Sequence, residues 1–449
     1  MYDDDLIRPY YEHSVGPLGV SLFDIHTHTG SNDPDGFTCS VDTLIRELAA
    51  VGSRAVVLPM HEPAGYSDAN ERVLAEAQSS GGMLVAFCRL DPHKEPLVEA
   101  RRCVEAGARG LKLHPRSEGF DLSEPAVEDI FAFAHERRLP VLIHAGRGIP
   151  ALARDALRYA DKYPDARIIL AHAGICDLNW MWPEVPSHPN LFFDLSWWHP
   201  ADLITLIALV PPGQLLYASD LPYFTPMLIA TFIARYGESL GLTADQLAGI
   251  LGRQAERLLA AEEPLDLGPA PGAERLTYDV RLERVKEWLI FGISRMLMGD
   301  SGYEPLAVAR LACDIGDEDG PVAEVCRNVV WLLERQERFA HDNPTDGAPE
   351  FPGVRSMMLA ACLARTPGVG LPRIPELEPE QELRKHTSLG HRVIDLSDLP
   401  TPVEVQRDLR RSSATDLLAI DPSIVRRPSD SGIYELSDLV PPDHRSVEE

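Results

Sequence analysis

The segment "RGLKLHPRSEGFDLSEPAVEDIFAFAHERRLPVLIHAG" (109–146) contains one strand–helix–strand unit and predicts the fold of the chain. Two short apolar runs, 109–115 and 140–146, lie at its ends. Between them, Ser123 marks a helix cap and Pro125 stands inside the first turn. Apolar runs that hardly alternate with polar residues are typical of parallel strands buried on both faces. The segment therefore predicts a βαβ unit of a parallel sheet.

The same unit repeats along the first 260 residues. Starts of successive apolar runs lie roughly 24–34 residues apart, which is the length of a βα unit. Eight such strands with intervening helices in about 240 residues predict a TIM (β/α)8 barrel, which typically takes about 250 residues. The predicted strands are 20–26, 54–60, 83–90, 109–115, 140–146, 167–174, 190–197 and 214–220. Predicted helices include 40–52, 95–108, 123–140 and a closing helix at 242–260.

The rest of the chain differs in composition from the barrel. Residues 262–277 are rich in Pro, Gly and acidic residues and predict a linker, whereas apolar helical periodicity returns beyond them. The last 83 residues hold ten prolines and one aromatic residue, which predicts disorder. Within them, "DLSDL" and "ELSDL" could be a docking motif for a protein partner or a coincidence in a tail rich in Leu and Asp. The predicted organisation is an N-terminal extension (1–19), the barrel (20–261), the linker (262–277), a helical module (278–366) and a disordered tail (367–449).

Charge and cysteine content narrow the class of protein. The chain has 42 Lys and Arg against 69 Asp and Glu, a formal charge of -27, which disfavours nucleic acid and anionic membranes as partners. Seven scattered cysteines without CxxC spacing predict a reduced protein without a disulfide framework. The N-terminus lacks an apolar signal segment and the longest apolar run is too short for a membrane span. We therefore expect a soluble, cytoplasmic protein.

Polar residues gather where the predicted strands end. The carboxyl ends of barrel strands converge on one axis and form the active sites of TIM barrels, so residues far apart in sequence become neighbours. Imidazoles with a carboxylate and no thiolate suit zinc, and also manganese, iron or cobalt. A single histidine at a strand end more often has a structural role. Polar residues with unrelated structural roles, however, would not all lie at the same end of the barrel. These strand-end residues are His26, His28, Lys112, His114, His144, His172 and Asp220.

Several motifs together resemble the amidohydrolase superfamily. They are "FDIHTHTG" (23–30), "GARGLKLHP" (107–115), "PVLIHAGRG" (140–148), "IILAHAG" (168–174), "LLYASDLPY" (215–223) and "ILGRQAERLL" (250–259). The chain is most similar to the amidohydrolase-related branch that contains aminocarboxymuconate-semialdehyde decarboxylase and related non-oxidative decarboxylases. This resemblance covers about residues 20–260. The last motif lacks the asparagine that is common at its position in the family.

The resemblance implies a ligand set and catalytic roles. His26, His28, His144 and Asp220 would surround a divalent metal, most simply zinc. Asp220 would take the proton of the metal-activated water, and His172 would stabilise an oxyanion, shuttle a proton or bind a second metal. Independently of the resemblance, strand alternation places Asp24 on the same face as His26 and deeper in the barrel, where it could support the histidine pair or have a structural role.

Lys112 leaves the number of metals open. Binuclear members of the superfamily bridge two metals with a carbamylated lysine at the end of strand four, where this chain has Lys112. The same lysine could instead bind a substrate anion or pair with Asp220. Because the resembled branch usually holds one metal, we favour one.

Loops after the strands offer residues for substrate contact. Arginines near a metal suit a carboxylate-bearing substrate through bidentate pairing, and tryptophans can form an apolar wall. Each of these residues could equally have an ordinary packing or surface role. The candidates are Arg89, His61, Glu62, His114, Arg116, Arg147, Trp197, Trp198 and Tyr223.

These features lead to three hypotheses of function. The first is a metal-dependent hydrolase that acts on a small amide, ester, lactone or cyclic bond. The second is a metal-dependent decarboxylase of a small, for example aromatic, carboxylic acid with the same ligands. The third is a catalytically idle barrel that serves as a binding scaffold. The sequence does not identify the substrate, and it does not decide whether the protein forms a homodimer.

Overall fold

The eight predicted strands form a barrel of parallel strands. The computed structural model describes residues 3–146, 151–316, 318–344 and 350–377, and within them the predicted TIM (β/α)8 fold is confirmed. The third predicted strand is interrupted at Phe87, so that its halves pair with the second and fourth strands. The strands are β1 (Leu22–Thr29), β2 (Ser53–Pro59), β3 (Leu84–Ala86), β4 (Cys88–Arg89), β5 (Leu111–Leu113), β6 (Pro140–Ile143), β7 (Arg167–Leu170), β8 (Leu191–Asp194) and β9 (Leu215–Leu216).

The barrel closes between the first strand and the segment after the last one. The backbone N–H of Asp220 donates to the carbonyl of His26 (2.8 Å), and the N–H of His28 donates to the carbonyl of Leu221 (2.9 Å). A register shift in β1 between Asp24 and Thr27 marks a bulge at His26. The seam that closes the barrel is therefore also the place where three of the predicted metal ligands meet.

Helices cover the outside of the barrel and one of its ends. Buried side chains from the strands, among them Phe23, Val56 and Ile169, fill the interior, and Ala255 and Leu258 close the end at which β1 begins. The helices of this part are α1 (Asp4–Ser14), α2 (Val41–Val51), α3 (Ser67–Ser79), α4 (Pro96–Glu105), α5 (Pro115–Glu118), α6 (Pro125–Arg137), α7 (Ala153–Lys162), α8 (Leu178–Met181), α9 (Pro200–Leu209), α10 (Pro226–Ser239), α11 (Ala244–Ala248) and α12 (Gln254–Leu259).

The predicted helical module packs directly on the barrel. It consists of α13 (Val280–Met296), α14 (Tyr303–Ala312), α15 (Pro321–Asp342) and α16 (Val354–Arg365). Helix α16 is buried on all its faces, as an apolar helix must be, and contacts α13, α15, α10 and α1. Helix α1, from the predicted N-terminal extension, packs on α10 and α16. Barrel, extension and module thus belong to one compact unit.

The start of the predicted tail also belongs to this unit. Val369 and Ile374 are buried. The guanidinium of the fully buried Arg235 donates to the carbonyl of Gly370 at 2.8 Å and to Thr366 Oγ1 at 3.1 Å. The start of the tail is therefore packed at Val369 and Ile374, and Val369 and Gly370 supply carbonyls to a buried cation. The tail beyond 377, with both "LSDL" motifs, lies outside the described residues, and no helix among those described is long and apolar enough to cross a membrane.

A prediction concerns the turn of π-helix at Gly249–Arg253 that connects α11 to α12. A Cβ at Gly252 would lie 2.2 Å from the carbonyl oxygen of Ser21, a backbone atom that cannot yield without moving β1. A Cβ at Gly249 would meet only the end of the flexible Leu267 side chain. We expect Gly252→Ala to lower the free energy of unfolding by about 2–3 kcal/mol and Gly249→Ala to cost clearly less, measured by urea denaturation. Equal losses in both variants would contradict this packing.

Candidate metal centre and active site

Three side chains meet at the seam of the barrel. His26 Nε2 lies 3.0 Å from His28 Nε2. Asp220 Oδ1 lies 3.3 Å from the first of these nitrogens and 3.1 Å from the second. All three side chains are buried. Among the described residues, they form the group whose possible metal-ligating atoms approach one another closely enough to share one ion.

Hydrogen bonds determine which ring nitrogens carry protons. His26 Nδ1 is 2.8 Å from Asp194 Oδ2, and His28 Nδ1 is 3.3 Å from the carbonyl of Pro59. Both oxygens can only accept, so both Nδ1 atoms donate and both Nε2 atoms present lone pairs. Burial, followed by the charge of Lys112, lowers the pKa of His26 to about 4 and that of His28 well below its ordinary value, so both rings are neutral at pH 7.

The donor set therefore fits a divalent cation. Two lone pairs and a carboxylate oxygen face one another at about 3 Å without a proton between the two imidazoles. Lone pairs at this separation repel one another unless a positive charge lies among them. Lys112 Nζ, 3.1 Å from His26 Nε2, supplies one such charge. Nitrogen and carboxylate ligands of this kind suit zinc and other first-row metals.

Asp194 orients His26 and was not identified from the sequence. It ends β8, is fully buried, and its Oδ1 accepts from the backbone N–H of His172 (2.9 Å) and the hydroxyl of Ser196 (2.6 Å). Burial opposes its ionisation, but His26, His172 and Ser196 outweigh this and lower the pKa of Asp194. The signal for it was a lone aspartate at the end of a strand without other polar residues, "LFFD" (191–194).

His172 and His144 form a second pair of facing imidazoles. His172 Nδ1 donates to the carbonyl of Ser196 (3.0 Å), so in the neutral ring Nε2 accepts from Nδ1 of His144 at 3.0 Å. His144 also stacks on His114, with ring centroids 3.9 Å apart. His144 does not join the group formed by His26, His28 and Asp220. A proton satisfies this second pair, which therefore does not require a cation.

Two of these residues have unusual backbone angles. His172 (φ 55°) and Asp220 (φ 54°) occupy the left-handed region, which is costly for a residue other than glycine. Asp24, deeper in the barrel as predicted, accepts from the backbone N–H of His26 (3.1 Å) and of Ser219 (3.0 Å). The pKa of Asp24 rises to about 7 because it is buried. It therefore supports the backbone on both sides of the seam.

Lys112 and Arg89 place positive charge in the wall of the site. The pKa of Lys112 falls to about 8 because the amine is buried. Arg89 pairs with Lys112 in the β4–β5 register and is 2 % exposed. Arg89 Nη2 donates to Glu118 Oε1 at 2.8 Å, and its guanidinium lies over the ring of Tyr66. Among the described residues its Nε has no hydrogen-bond partner.

Most predicted site residues line one cavity of about 420 Å³ at the carboxyl ends of the strands. Tyr223 closes one side, where its hydroxyl donates to Asp33 Oδ2 (2.5 Å). Glu62 and Trp198 are not among the residues lining the cavity, and Arg147 lies outside the described residues. The predicted residues that do line it are His26, His28, His61, Arg89, Lys112, His114, Arg116, His144, His172, Trp197, Asp220 and Tyr223.

A second prediction tests the role of Asp194. In Asp194→Asn the amide oxygen can keep the bonds of Oδ1, but the amide NH2 then faces Nδ1–H of His26. The imidazole relieves this clash by moving its proton to Nε2, which removes a lone pair from the cluster. We expect metal affinity to fall about 10–100-fold, measured by competition with a chromophoric chelator.

The control is Asp177→Asn. Asp177 is also buried, and it accepts from the backbone N–H groups of Leu152 and Ala153 without touching the three-residue cluster. Its replacement should leave metal affinity unchanged. An Asp194→Asn protein that binds metal as tightly as wild type would refute the orienting role.

Comparisons with known proteins find one family match and several similar solved structures. The amidohydrolase family model matches residues 44–260. Similar solved structures include 5-carboxyvanillate decarboxylase from Sphingomonas paucimobilis (14 % identity, TM-score 0.43) and 4-oxalomesaconate hydratase from Rhodopseudomonas palustris (18 %, TM-score 0.41). Each match covers 54 % of this chain. It covers 99 % of the decarboxylase chain and 96 % of the hydratase chain.

A third similar structure is a putative 2-pyrone-4,6-dicarboxylic acid hydrolase from Pseudomonas putida, with 18 % identity, a TM-score of 0.43, and coverage of 54 % of this chain and 98 % of that one. A search among curated protein sequences finds no significant match. The matched range includes Asp220 but not β1, the strand that carries His26 and His28. Over the matched residues 44–260, the barrel of this chain is that of an amidohydrolase-family enzyme.

Proposed function

We propose that this protein is a metal-dependent hydrolase of a small, carboxylate-bearing amide, ester, lactone or other cyclic substrate. The observation that carries the proposal is the approach of His26 Nε2, His28 Nε2 and Asp220 Oδ1 to within 3.3 Å of one another in a buried cavity. Zinc suits these donors best. A metal held there would lower the pKa of a coordinated water towards about 7 and polarise a carbonyl.

Asp220 is the proposed general base. Its Oδ1 faces the two histidines, and its Oδ2 lies 3.9 Å from His172 Nδ1, so the carboxylate extends from the ligand cluster towards the second imidazole pair. In this position Asp220 can take a proton from the attacking water and pass it to the leaving group. His172, whose ring centroid is 5.6 Å from that of His26, is placed to stabilise negative charge on the substrate oxygen.

The wall of the cavity supports an anionic substrate. Arg89, Lys112 and Arg116 line the same space in a protein whose net charge is -27. Because Glu118 already holds Nη2 of Arg89, that guanidinium is fixed in one orientation, and its buried Nε–H needs an acceptor. A substrate carboxylate would supply that acceptor.

A decarboxylase is the second candidate. Lys112 Nζ lies 3.1 Å from His26 Nε2, so a cation stands beside the ligand cluster itself. That charge would draw the substrate carboxylate onto the metal, where decarboxylation needs it, rather than to Arg89. The position of the bound carboxylate therefore separates the two reactions.

A third prediction separates them by experiment. We expect the zinc-loaded protein, screened against N-acyl amino acids, lactones and aromatic carboxylic acids, to release hydrolysis products without carbon dioxide. Removal of the metal by chelation should abolish turnover, and zinc should restore it. Release of carbon dioxide without hydrolysis would contradict the hydrolase proposal and support the decarboxylase.

The metal requirement has its own control. His26→Ala combined with His28→Ala should lose stoichiometric metal, measured by elemental analysis. His93→Ala, a half-exposed histidine next to Asp91 and Glu124, should keep it. Equal metal content in both proteins would argue against the proposed site.

A fourth prediction concerns Arg89. Arg89→Gln should raise KM for carboxylate-bearing substrates roughly 10–100-fold, since a hydrogen bond to a charged group is lost. The KM for a neutral analogue, such as the methyl ester, should change less than about twofold, because the same bond is absent from that complex. Steady-state kinetics on the matched pair of substrates measures the difference.

The buried partner provides the control for Arg89. Glu118→Gln keeps the positive charge of Arg89 and should leave KM for the acids unchanged or lower. Arg89→Gln combined with Glu118→Gln removes the charges of both side chains, so that Glu118 is not left as an unpaired buried carboxylate. If the acid and its neutral analogue lose affinity equally in Arg89→Gln, Arg89 does not bind the carboxylate.

A further inference from the structure

We propose that Arg355 of helix α16 is a positioning residue for the loop that carries Asp220, so that the helical module outside the barrel supports the metal centre. The proposal rests on the proposed function in one respect only, the role of Asp220 as a metal ligand. It assigns a role to the helical module, whose function could not be predicted from the sequence.

The loop after β9 needs external support. Asp220 has a left-handed backbone conformation, which is unfavourable for a residue with a Cβ and persists only where neighbours hold it. Within the barrel it is held by its N–H bond to His26 (2.8 Å) and by the N–H of Tyr223, which donates to its carbonyl at 2.9 Å. The chain then passes through Leu221 and Pro222, of which Pro222 has no N–H to contribute.

Arg355 supplies donors to this segment. Its Nη2 donates to the carbonyls of Tyr223 (2.9 Å) and Pro222 (3.3 Å). Its Nη1 lies 2.5 Å from Glu350 Oε1, so the guanidinium is anchored on its other side. Arg355 is 4 % exposed. A planar group fixed at both ends sets the position of the two carbonyls that follow Asp220 by two and three residues.

Helix α1 holds the same region from a second side. Asp3 Oδ2 accepts from the backbone N–H of Ser356, next to Arg355 (2.8 Å). Asp4 Oδ1 accepts from the hydroxyl of Thr225 (2.7 Å), the residue that caps α10 directly after the loop. The start of α1 is thus joined to the start of α16 through Asp3, and to Thr225 directly after the loop through Asp4.

A second buried arginine shows that burial alone does not give this role. Arg235 is fully buried in the same region of the fold, and it too donates to backbone carbonyls, but these belong to Thr366, Val369 and Gly370. Its contacts fasten the end of the module, whereas those of Arg355 fasten the loop of the metal ligand. Arg235 is therefore a matched control.

The test compares Arg355→Met with Arg235→Met in the full-length protein. Metal affinity is measured by zinc titration against a chelator, and hydrogen exchange is measured at residues 219–225 in the metal-free protein. We expect Arg355→Met to weaken zinc binding about 10–100-fold and to speed exchange in 219–225 about tenfold or more. Arg235→Met should lower unfolding stability without either effect.

Two further measurements keep the outcomes distinct. If Arg355→Met does not fold, Arg355→Lys, which keeps the charge but only one branch of the fork, should show smaller changes in the same direction. Wild-type zinc affinity and unchanged exchange in an Arg355 variant would overturn the positioning role. If wild type itself binds no zinc, the proposed function fails, while the exchange of metal-free protein still decides whether Arg355 holds the loop.

Discussion

The structure depends on three electron-rich atoms that the barrel holds against one another. His26 Nε2, His28 Nε2 and Asp220 Oδ1 lie within 3.3 Å in a buried position, where repulsion between lone pairs is poorly screened. Hydrogen bonds on the far sides of both rings exclude the protons that would relieve this repulsion. Lys112 Nζ, 3.1 Å from His26 Nε2, relieves part of this repulsion, and a metal cation among the three atoms would relieve the rest. The scaffold must therefore be rigid enough to keep these atoms together.

The rigidity comes from the way in which the barrel closes. Backbone hydrogen bonds between β1 and the segment after β9 are made by His26, His28 and Asp220 themselves, so the ligands cannot separate without opening the barrel. Asp24 binds backbone N–H groups on both sides of that seam, and Asp194 fixes the first ring from β8. Pairing across the barrel thus turns residues distant in sequence into one preorganised group, which is how a site obtains ligands in fixed positions before its ion arrives.

The sequence was informative wherever a local pattern determined the outcome. Apolar runs and caps predicted the strands and helices, and strand ends predicted residues such as His172 and Asp220, because parallel strands bring their carboxyl ends together. It was silent about Asp194 and Arg355, whose partners lie 168 and 132 residues away, since hydrogen bonds across such separations leave no local pattern.

Our preference for a single metal rests on the same assignment of protons to ring nitrogens. The pair His26 and His28 presents two lone pairs to one another, whereas in the pair His144 and His172 one ring can donate and the other accept, because Ser196 fixes the proton of His172 on Nδ1. Only the first pair demands a positive charge. Lys112 adds its own cation next to the first pair, and an ammonium there competes with a second metal. Hydrogen bonding therefore supports the proposal of a single ion, in which Lys112 would face a substrate anion.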